Sequence, residues 1–441
     1  MLGLNNPTSI QFGPDERLYV AEQQGLIKIF EVERLQNGQY IIDQVEVIDR
    51  IQKIPNHDDD GSVNLEVTSR QVTGILIVGT NDEPIIYVTS SDPRIGGGGQ
   101  ADTNLDTNSG IVSELYKKDN VWMKTDLVRG LPRSEENHSQ NGLDLILSDS
   151  ILLVTSGGNT NQGAPSINFA YLSEYANSAA ILSIDLKAIN KMNQRTDQLG
   201  SVYVYDLTTL DDEDRENGSL NTVYEDANDP FGGNDGKNQA RLRTRSPVQI
   251  YSSGWRNAYD VLVSDNGLIY TYDNGSNKGW GGIPINDCSN DRSELFSNTY
   301  HDNLHLIANQ GYYGGHPNPT RANRDNTFND SNPQSPVDPG LEDSNCSYLL
   351  PGTGDGALAT YHASTNGLAQ YTATNFEGAM IGDLLAVSFD GKLLRYSLID
   401  GGRILADNGF SIPASNIGTI PLDVTTQGNS DVFPGTIWVC K

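Results

Sequence analysis

Short apolar segments alternate with turn residues along the whole chain and predict β-strands joined by tight turns. Residues 254–282 show the unit most clearly: a strand follows Arg256 and Asn257, a Ser-Asp-Asn-Gly turn at 264–267 reverses the chain, and a second strand leads into a loop of Gly, Asn and Asp. Alternation of apolar and polar positions is typical of strands with one buried face. Long helical periodicity is almost absent.

The same unit recurs six times, with copies beginning near residues 7, 73, 141, 256, 367 and 421. Repetition of short strands with Gly and Asp turns indicates a radial arrangement. We therefore predict an all-β fold, a six-bladed β-propeller with long polar insertions at 187–250 and 283–360. A sandwich or a β-helix is the alternative, and the unequal unit lengths disfavour a β-helix.

The sixth unit is shorter than the others and ends with Trp438, Val439, Cys440 and Lys441. Two strands would leave an edge with unpaired backbone groups. We expect residues 1–441 to form a single propeller domain with an incomplete last blade, as a segment of a longer protein. Completion of that blade by a strand from elsewhere in the chain is the alternative.

The chain is strongly acidic, with 57 Asp and Glu against 29 Lys and Arg and a net charge of −28. This charge argues against nucleic acid and anionic membranes as partners. No apolar run approaches the roughly 18 residues of a membrane span, and Met1 begins no signal peptide. A solvated surface explains most of the acidity. The rest is compatible with bound divalent cations and an extracellular, cell-surface or periplasmic location.

Three cysteines, Cys288, Cys346 and Cys440, have no metal-site spacing. Cys288 and Cys346 lie in polar loops, so a disulfide between them is compatible with export, and two inert thiols are the alternative.

Two motifs at strand beginnings carry candidate chemistry. His138 precedes a strand that should line a central channel, where a neutral imidazole can act as a general base. Arg256, followed by Asn257, holds the equivalent place in the fourth unit and can bind a carboxylate or a polarised carbonyl. The alternatives are a histidine bonded to a backbone carbonyl and an arginine in a salt bridge.

The order of five motifs resembles the soluble pyrroloquinoline quinone (PQQ) dependent glucose/sorbosone dehydrogenases, six-bladed propellers that oxidise aldose sugars. The matching segments are 6–8 with 25–27, 137–142, 256–257, 274–277 and 311–316.

The resemblance implies a role for each matching residue. His138 would be the catalytic base that takes the proton of the sugar C1 hydroxyl, and Arg256 with Asn257 would lie beside the reactive carbonyl of the quinone. Backbone carbonyls of Gly275 and Ser276 would hold a catalytic Ca²⁺.

Four polar side chains are the predicted cofactor contacts. Asn274 stands where the family has a cofactor-contacting amide, and Asn137 stands where it has an acidic residue. In the mouth loop 159–165, Asn159 and Gln162 are expected to hydrogen-bond a sugar or the cofactor.

The family's cations for the three PQQ carboxylates are missing at the matching places. Asp390 stands where the family has a lysine, and 419–423 holds no arginine where the sixth unit opens. An aspartate there would repel a trianion. The candidate replacements are Arg133, Arg241, Arg243, Arg245 and Lys278.

Calcium has separate support in the loop 226–236. There oxygen-bearing side chains alternate with glycines, as in loops that bind hard cations, although the EF-hand register is absent. The predicted ligands are Asp226, Asn228, Asp229, Asn234 and Asp235. The acidic segments 57–61 and 211–214 are weaker candidates, and a solvated acidic loop is the alternative for each.

Two functions follow. The first is a Ca²⁺- and PQQ-dependent aldose dehydrogenase with His138 as base and Arg256 as polarising group. The second is a non-catalytic, calcium-stabilised extracellular module that binds sugar or polysaccharide beside further domains of the same polypeptide.

Overall fold

The computed structural model is built almost entirely of β-strands. It describes residues 3–58, 62–95, 105–134, 136–163, 166–169, 174–175, 177–207, 245–282, 301–316, 356–362 and 364–441. Within these ranges the helical segments are α1 (Leu186–Ile189) and the 3-10 helices Ile167–Phe169, Phe376–Gly378 and Asp400–Gly402. None of the helices in the described ranges is long and apolar enough to cross a membrane.

The strands of the described residues are β1 (Pro7–Phe12), β2 (Leu18–Glu22), β3 (Ile27–Arg34), β4 (Tyr40–Ile48), β5 (Asn56–His57), β6 (Val63–Asn64), β7 (Gln71–Gly79), β8 (Pro84–Ser91), β9 (Gly110–Lys118), β10 (Val121–Leu131), β11 (Gln140–Ile146), β12 (Ile151–Ser156), β13 (Ala180–Asp185), β14 (Arg195–Thr196), β15 (Val202–Asp206), β16 (Val248–Ser253), β17 (Ala258–Val263), β18 (Ile269–Asp273), β19 (Asp302–Ile307), β20 (Ala359–Tyr361), β21 (Thr365–Gln370), β22 (Leu384–Ser388), β23 (Lys392–Ile399), β24 (Ile404–Ser415), β25 (Asp423–Thr426) and β26 (Ile437–Cys440).

Six sheets form a closed ring around a central channel. Their orders are β1-β2-β3-β4, β7-β8-β9-β10 extended by β15 and β14, β11-β12-β13-β16, β17-β18-β19-β20, β21-β22-β23-β24 and β25-β26. The first strand of each sheet packs against the first strands of its two neighbours, and β25 closes the ring against β1. The predicted all-β propeller is confirmed. Five sheets are complete, and the sixth has two strands in the described part of the chain.

The hydrophobic core is divided among the gaps between neighbouring sheets. Six separate clusters of buried apolar residues occur in the described structure, each joining two adjacent sheets. Ile29 of β3 meets Ile75 of β7 in one cluster, for example, and Val20 of β2 meets Cys440 of β26 in another. Burial of apolar surface therefore stabilises the ring as a whole rather than any single sheet.

Buried carboxylates tie the inner strands of neighbouring sheets together. Asp144 accepts a bond from Val263 N (2.6 Å), Asp260 from Leu368 N (2.9 Å) and Asp423 from Ile10 N (2.8 Å). In each case the other carboxylate oxygen accepts from the amide of the next residue in its own strand. Three of the six junctions between sheets thus contain the same carboxylate–amide hydrogen bond, which pairs backbone N–H groups of the inner strands that water does not reach.

Two glycines leave room for this arrangement. A Cβ on Gly142 would lie 2.2 Å from Asp260 Oδ1, and one on Gly367 would lie 2.4 Å from Asp423 Oδ1. A side chain at either position would displace the neighbouring carboxylate.

The sixth sheet is packed firmly despite its two strands. Rings of Phe12 and Tyr40 from the first sheet meet Phe433 and Trp438 at centroid distances of 4.9–5.7 Å. Cys440 in this sheet is buried and free. The other two cysteines, and with them the predicted Cys288–Cys346 disulfide, lie outside the described residues.

The insertions contain strands that the sequence pattern did not reveal. β15, within 187–250, runs parallel to β10 and extends the second sheet, and β19, within 283–360, is the third strand of the fourth sheet. Both pairings depend on residues distant in sequence, which local alternation does not report.

We predict that Asp144→Asn flattens the pH dependence of stability. Burial raises the pKa of Asp144 from 3.8 to about 6. Ionisation of Asp144 therefore destabilises the folded state: the free-energy cost is zero below pH 3.8, grows as the pH rises, and reaches its full value above pH 6. This cost is about 3 kcal/mol. In urea unfolding, the free energy of unfolding of the variant should decrease less between pH 4.5 and 7 than that of the wild-type protein.

The exposed Asp149→Asn is the control, and it should keep the wild-type slope. Equal slopes for Asp144→Asn and wild type would contradict the prediction.

Candidate functional site

The channel opens at one end into a cavity of about 980 Å³ at the beginnings of the inner strands. All six inner strands run in the same direction, so the residues that precede them meet at one mouth. Ten side chains of the wall are amides: Asn5, Asn6, Gln23, Gln71, Asn137, Asn141, Asn257, Asn274, Asn277 and Asn366.

Tyr259 closes the floor of this cavity. Its side chain is 8% exposed, and its hydroxyl donates to the carbonyl of Thr8 (3.1 Å), so it crosses the channel from the fourth sheet to the first. A second cavity of about 360 Å³ lies beyond it, and the two cavities share Thr73 and Tyr259 in their walls.

His138 is fixed in one tautomer at the cavity wall. Its Nδ1 lies 2.9 Å from the carbonyl oxygen of Gly158, which can only accept, so Nδ1 carries the proton and Nε2 is left as an acceptor. The ring is 6% exposed and its edge meets Phe169. Burial, then the charge of Arg256, lower the pKa of His138 well below 6.5, so the ring is neutral.

Nε2 of His138 faces the carboxyl group of Glu136 at 3.3 Å. Burial raises the pKa of Glu136, while the charges of Arg256 and Arg133 oppose that rise. A carboxyl group and a neutral imidazole therefore share one wall of the cavity.

Arg256 is held by the strand that follows it. The carboxylate of Asp273 accepts hydrogen bonds from the backbone N–H groups of Arg256 (3.0 Å) and Asn257 (2.8 Å). These bonds fix the beginning of β17 against the end of β18. Nε of Arg256 donates to Asn161 Oδ1 (3.2 Å), and its buried NH2 group has no hydrogen-bond partner among the described residues.

Asn161 joins three segments of the site. Its amide nitrogen donates to the carbonyls of Asn277 and Gly281, both at 2.9 Å, and its oxygen accepts from Asn277 N as well as from Arg256. The loop after β18 is thus fastened to the loop after β12.

A buried cluster of hydrogen bonds supports the loop after β12. Glu174 accepts from Asn159 N, Thr160 N and Thr160 Oγ1 at 2.6–3.0 Å, and its Oε1 lies 2.8 Å from His316 Nε2. These bonds lower the pKa of Glu174 against the effect of its burial, so the carboxylate is ionised.

The fourth and fifth sheets meet at Asp302, whose carboxylate lies in the cavity wall. Its oxygens accept from Gly275 N (2.9 Å) and Thr365 N (2.6 Å). Burial raises its pKa to about 7. Beside it, Asn257 Nδ2 donates to Asn274 Oδ1 (3.0 Å), so these two amides orient each other.

The predicted residues separate into three groups. His138, Arg256, Asn257, Asn137, Asn274 and Gly275 all line the cavity. Asn159, Gln162 and Ser276 are fully buried and do not belong to the cavity wall. The predicted calcium ligands Asp226, Asn228, Asp229, Asn234 and Asp235 lie outside the described residues, as does the segment 211–214.

Sequence reasoning missed Glu136, Asp302, Asp273 and Glu174. Glu136 stands two residues before His138, whereas the resemblance places the acidic residue of the family at position 137. Asp302 and Glu174 lie in segments without a recognisable repeat, so no pattern pointed to them. No group of three or more His, Cys, Asp or Glu side chains that could hold a metal occurs among the described residues.

The wall does not fit a ligand with three carboxylates. Its cationic side chains in the described structure are Arg256 and the exposed Lys441, with the imidazoles of His138 and His362, and it also contains Glu136 and Asp302. One buried guanidinium beside two carboxyl groups leaves most of the charge of PQQ uncompensated.

Three of the five candidate replacement cations, those within the described residues, do not reach the wall. Arg133 is buried and donates to the carbonyls of Asp92 and Arg94, whereas Arg245 and Lys278 are exposed and lie outside the cavity wall. Arg241 and Arg243 lie outside the described residues.

The sequence predicts that Asp390 repels an anionic ligand in the cavity, and the structure does not place it there. Asp390 is outside the wall, where its carboxylate binds Lys392 (2.6 Å) and the hydroxyl of Tyr361 (3.0 Å). The apolar side chains of Phe389 and Ile420 stand in the wall instead.

The chain was compared with protein families, with curated proteins and with solved structures. No protein-family model and no curated protein matches the chain. Among solved structures, it is similar to the PQQ-bound aldose sugar dehydrogenase of Streptomyces coelicolor, with 12% identity over 96% of this chain and 85% of that chain and a TM-score of 0.48.

Two further structures are similar to the same extent. One is an oxidoreductase of Thermus thermophilus described as a glucose dehydrogenase (16% identity, 99% and 96% of the two chains, TM-score 0.48). The other is the holo PQQ domain of pyranose dehydrogenase from Coprinopsis cinerea (11%, 99% and 90%, TM-score 0.49). These structures include the type of protein that the sequence motifs resemble.

We predict that Asn161→Ala destabilises the protein by about 2–4 kcal/mol, because it leaves several buried donors and acceptors without partners. Asn168→Ala is the matched control, since Asn168 also donates to this loop, at Gly279 O, but from an exposed position. Chemical unfolding should show a loss below about 1 kcal/mol for the control. Similar losses for both variants would contradict the role of Asn161.

Proposed function

We propose that the protein binds a neutral carbohydrate in the cavity at the mouth of its channel. The observation that carries this proposal is the wall itself, which is rich in amides and has one buried guanidinium with a free N–H group. Amides donate and accept at once, as the hydroxyl groups of a sugar do. A neutral polyol also requires no compensating charge in a wall that holds two carboxyl groups.

Free polar atoms and aromatic rings provide both kinds of contact that a sugar needs. The buried Oδ1 of Asn137 and the NH2 group of Arg256 have no hydrogen-bond partner within the described part of the chain. Trp280 and Phe389 lie at the same wall and offer apolar faces to the C–H groups of a pyranose. Polar groups would thus fix the orientation of the ligand while the rings exclude water.

We predict that Asn137→Ala weakens sugar binding about tenfold, because a hydrogen bond of about 1–1.5 kcal/mol is lost. Isothermal titration with a panel of aldoses and oligosaccharides measures the change. Asn37→Ala, in the exposed turn between β3 and β4, should bind like the wild-type protein. Absence of binding throughout the panel at millimolar concentration would refute the proposed function.

PQQ-dependent oxidation of aldoses is the second candidate. It is favoured by the neutral imidazole of His138 and the guanidinium of Arg256 in one wall, the two groups that the family resemblance assigns to catalysis. The charge of the wall opposes it, so we derive no catalytic step through the quinone.

We expect that PQQ with Ca²⁺ does not bind at micromolar concentration, because the cavity wall formed by the described residues has one buried guanidinium for three carboxylates. Quenching of tryptophan fluorescence measures binding, and reduction of a dye acceptor in the presence of aldoses measures oxidation. Tight binding together with dye reduction that His138→Ala abolishes would establish the second candidate instead.

Calcium binding, an extracellular, cell-surface or periplasmic location and attachment to further domains remain proposals. Support for calcium comes from the composition of the loop 226–236, and support for export comes from the net charge of −28. Thermal unfolding with Ca²⁺ and with a chelator tests the first of these.

A further inference from the structure

Glu136 and His138 form an acid–base pair that the sugar-binding role does not require. Glu136 Oε2 lies 3.3 Å from His138 Nε2, and both side chains line the cavity. His138 Nδ1 already donates to Gly158 O, so Nε2 can only accept from Glu136. The contact is therefore attractive when a proton lies between the two atoms.

The surroundings of the pair favour one shared proton. Burial raises the pKa of Glu136 and lowers the pKa of His138, so burial favours the neutral form of each group. The charged and titratable groups that act on the pair are Arg256 and Arg133, and His316 acts on His138 as well. Neighbouring cations resist a second proton on the pair.

We propose that Glu136 and His138 catalyse the mutarotation of aldoses in the cavity, with the carboxyl group as acid and the imidazole as base. The inference rests on the proposed carbohydrate binding and adds an activity that needs no metal, oxidant or cofactor. It also narrows the substrate to sugars with a free hemiacetal.

The geometry suits the two oxygens of a hemiacetal. The anomeric hydroxyl and the ring oxygen are bonded to the same carbon, so one must lose a proton and the other must gain one within a very small space. A donor and an acceptor 3.3 Å apart can serve both oxygens at once. A single isolated base could not do so.

The step is balanced in protons and electrons. His138 Nε2 takes the proton of the anomeric hydroxyl, whose oxygen forms the C=O bond of the aldehyde. The bond between C1 and the ring oxygen breaks, and the released electron pair takes the proton of Glu136. After rotation about C1–C2, the ring oxygen attacks the other face of C1, returns its proton to Glu136, and His138 reprotonates the anomeric oxygen.

Exchange NMR between the α and β anomers of glucose, galactose and xylose tests the inference, with no PQQ or Ca²⁺ added. The wild-type protein should accelerate exchange above the buffer rate, and Glu136→Gln and His138→Gln should each reduce the acceleration at least 100-fold. Glu136→Asp, which widens the gap, should retain an intermediate rate. Glu83→Gln, in the exposed turn between β7 and β8, is the control and should match the wild type.

The pH profile distinguishes catalysis from a structural role. The rate should fall in acid, where a second proton occupies the pair, and in base, where the shared proton leaves, and both apparent pKa values belong to the pair. Glu136→Gln should lose this bell shape. A wild-type profile without both limbs would overturn the inference.

Titration with methyl β-glucoside, which has no free hemiacetal, separates the two proposals. If aldoses and the glycoside bind but exchange is not accelerated, the inference is overturned and carbohydrate binding stands. If neither binds, both fall. Equal acceleration by wild type and Glu136→Gln, with circular dichroism showing both folded, would also overturn the inference.

Discussion

A carboxylate that bonds to the backbone of the next sheet is the interaction on which this molecule depends. Asp144, Asp260 and Asp423 each hold an inner strand of one sheet against that of its neighbour. Without these bonds, amides of the inner strands would face the channel unpaired and away from bulk water. The register of the strands around the axis, and with it the height of every residue at the mouth, follows from them.

Hydrogen bonds of the same kind, from backbone amides to buried carboxylates, position the residues of the candidate site. Asp273 holds the amides of Arg256 and Asn257, and Asp302 holds the amides of Gly275 and Thr365. Side chains at the mouth are therefore positioned by backbone that is itself anchored through buried carboxylates. The low number of cations among the described residues of the wall supports the proposal of a neutral ligand, because amides can orient a ligand but cannot compensate its charge.

The repeat and the grouping of His138, Arg256 and Asn257 could be predicted because both are local. Alternation and turn residues mark each hairpin, and residues that precede equivalent strands must meet at one end of a ring. The contact between Glu136 and His138 depends on how one loop turns, and Asp302 belongs to a strand hidden in a polar insertion. Likewise, the pairing of β15 with β10 joins residues far apart in the chain, which no local pattern encodes.

Tyr259 closes the channel beneath the mouth cavity. Because its hydroxyl is bonded to Thr8 on the opposite side of the ring, the mouth cavity ends blindly instead of continuing through the propeller. A bound molecule leaves by the opening through which it entered. A polysaccharide cannot be threaded along the axis, so it can present to this cavity a terminal residue but not an internal one. Under the proposed carbohydrate function, this architecture would favour free sugars and chain ends over internal residues of a polysaccharide.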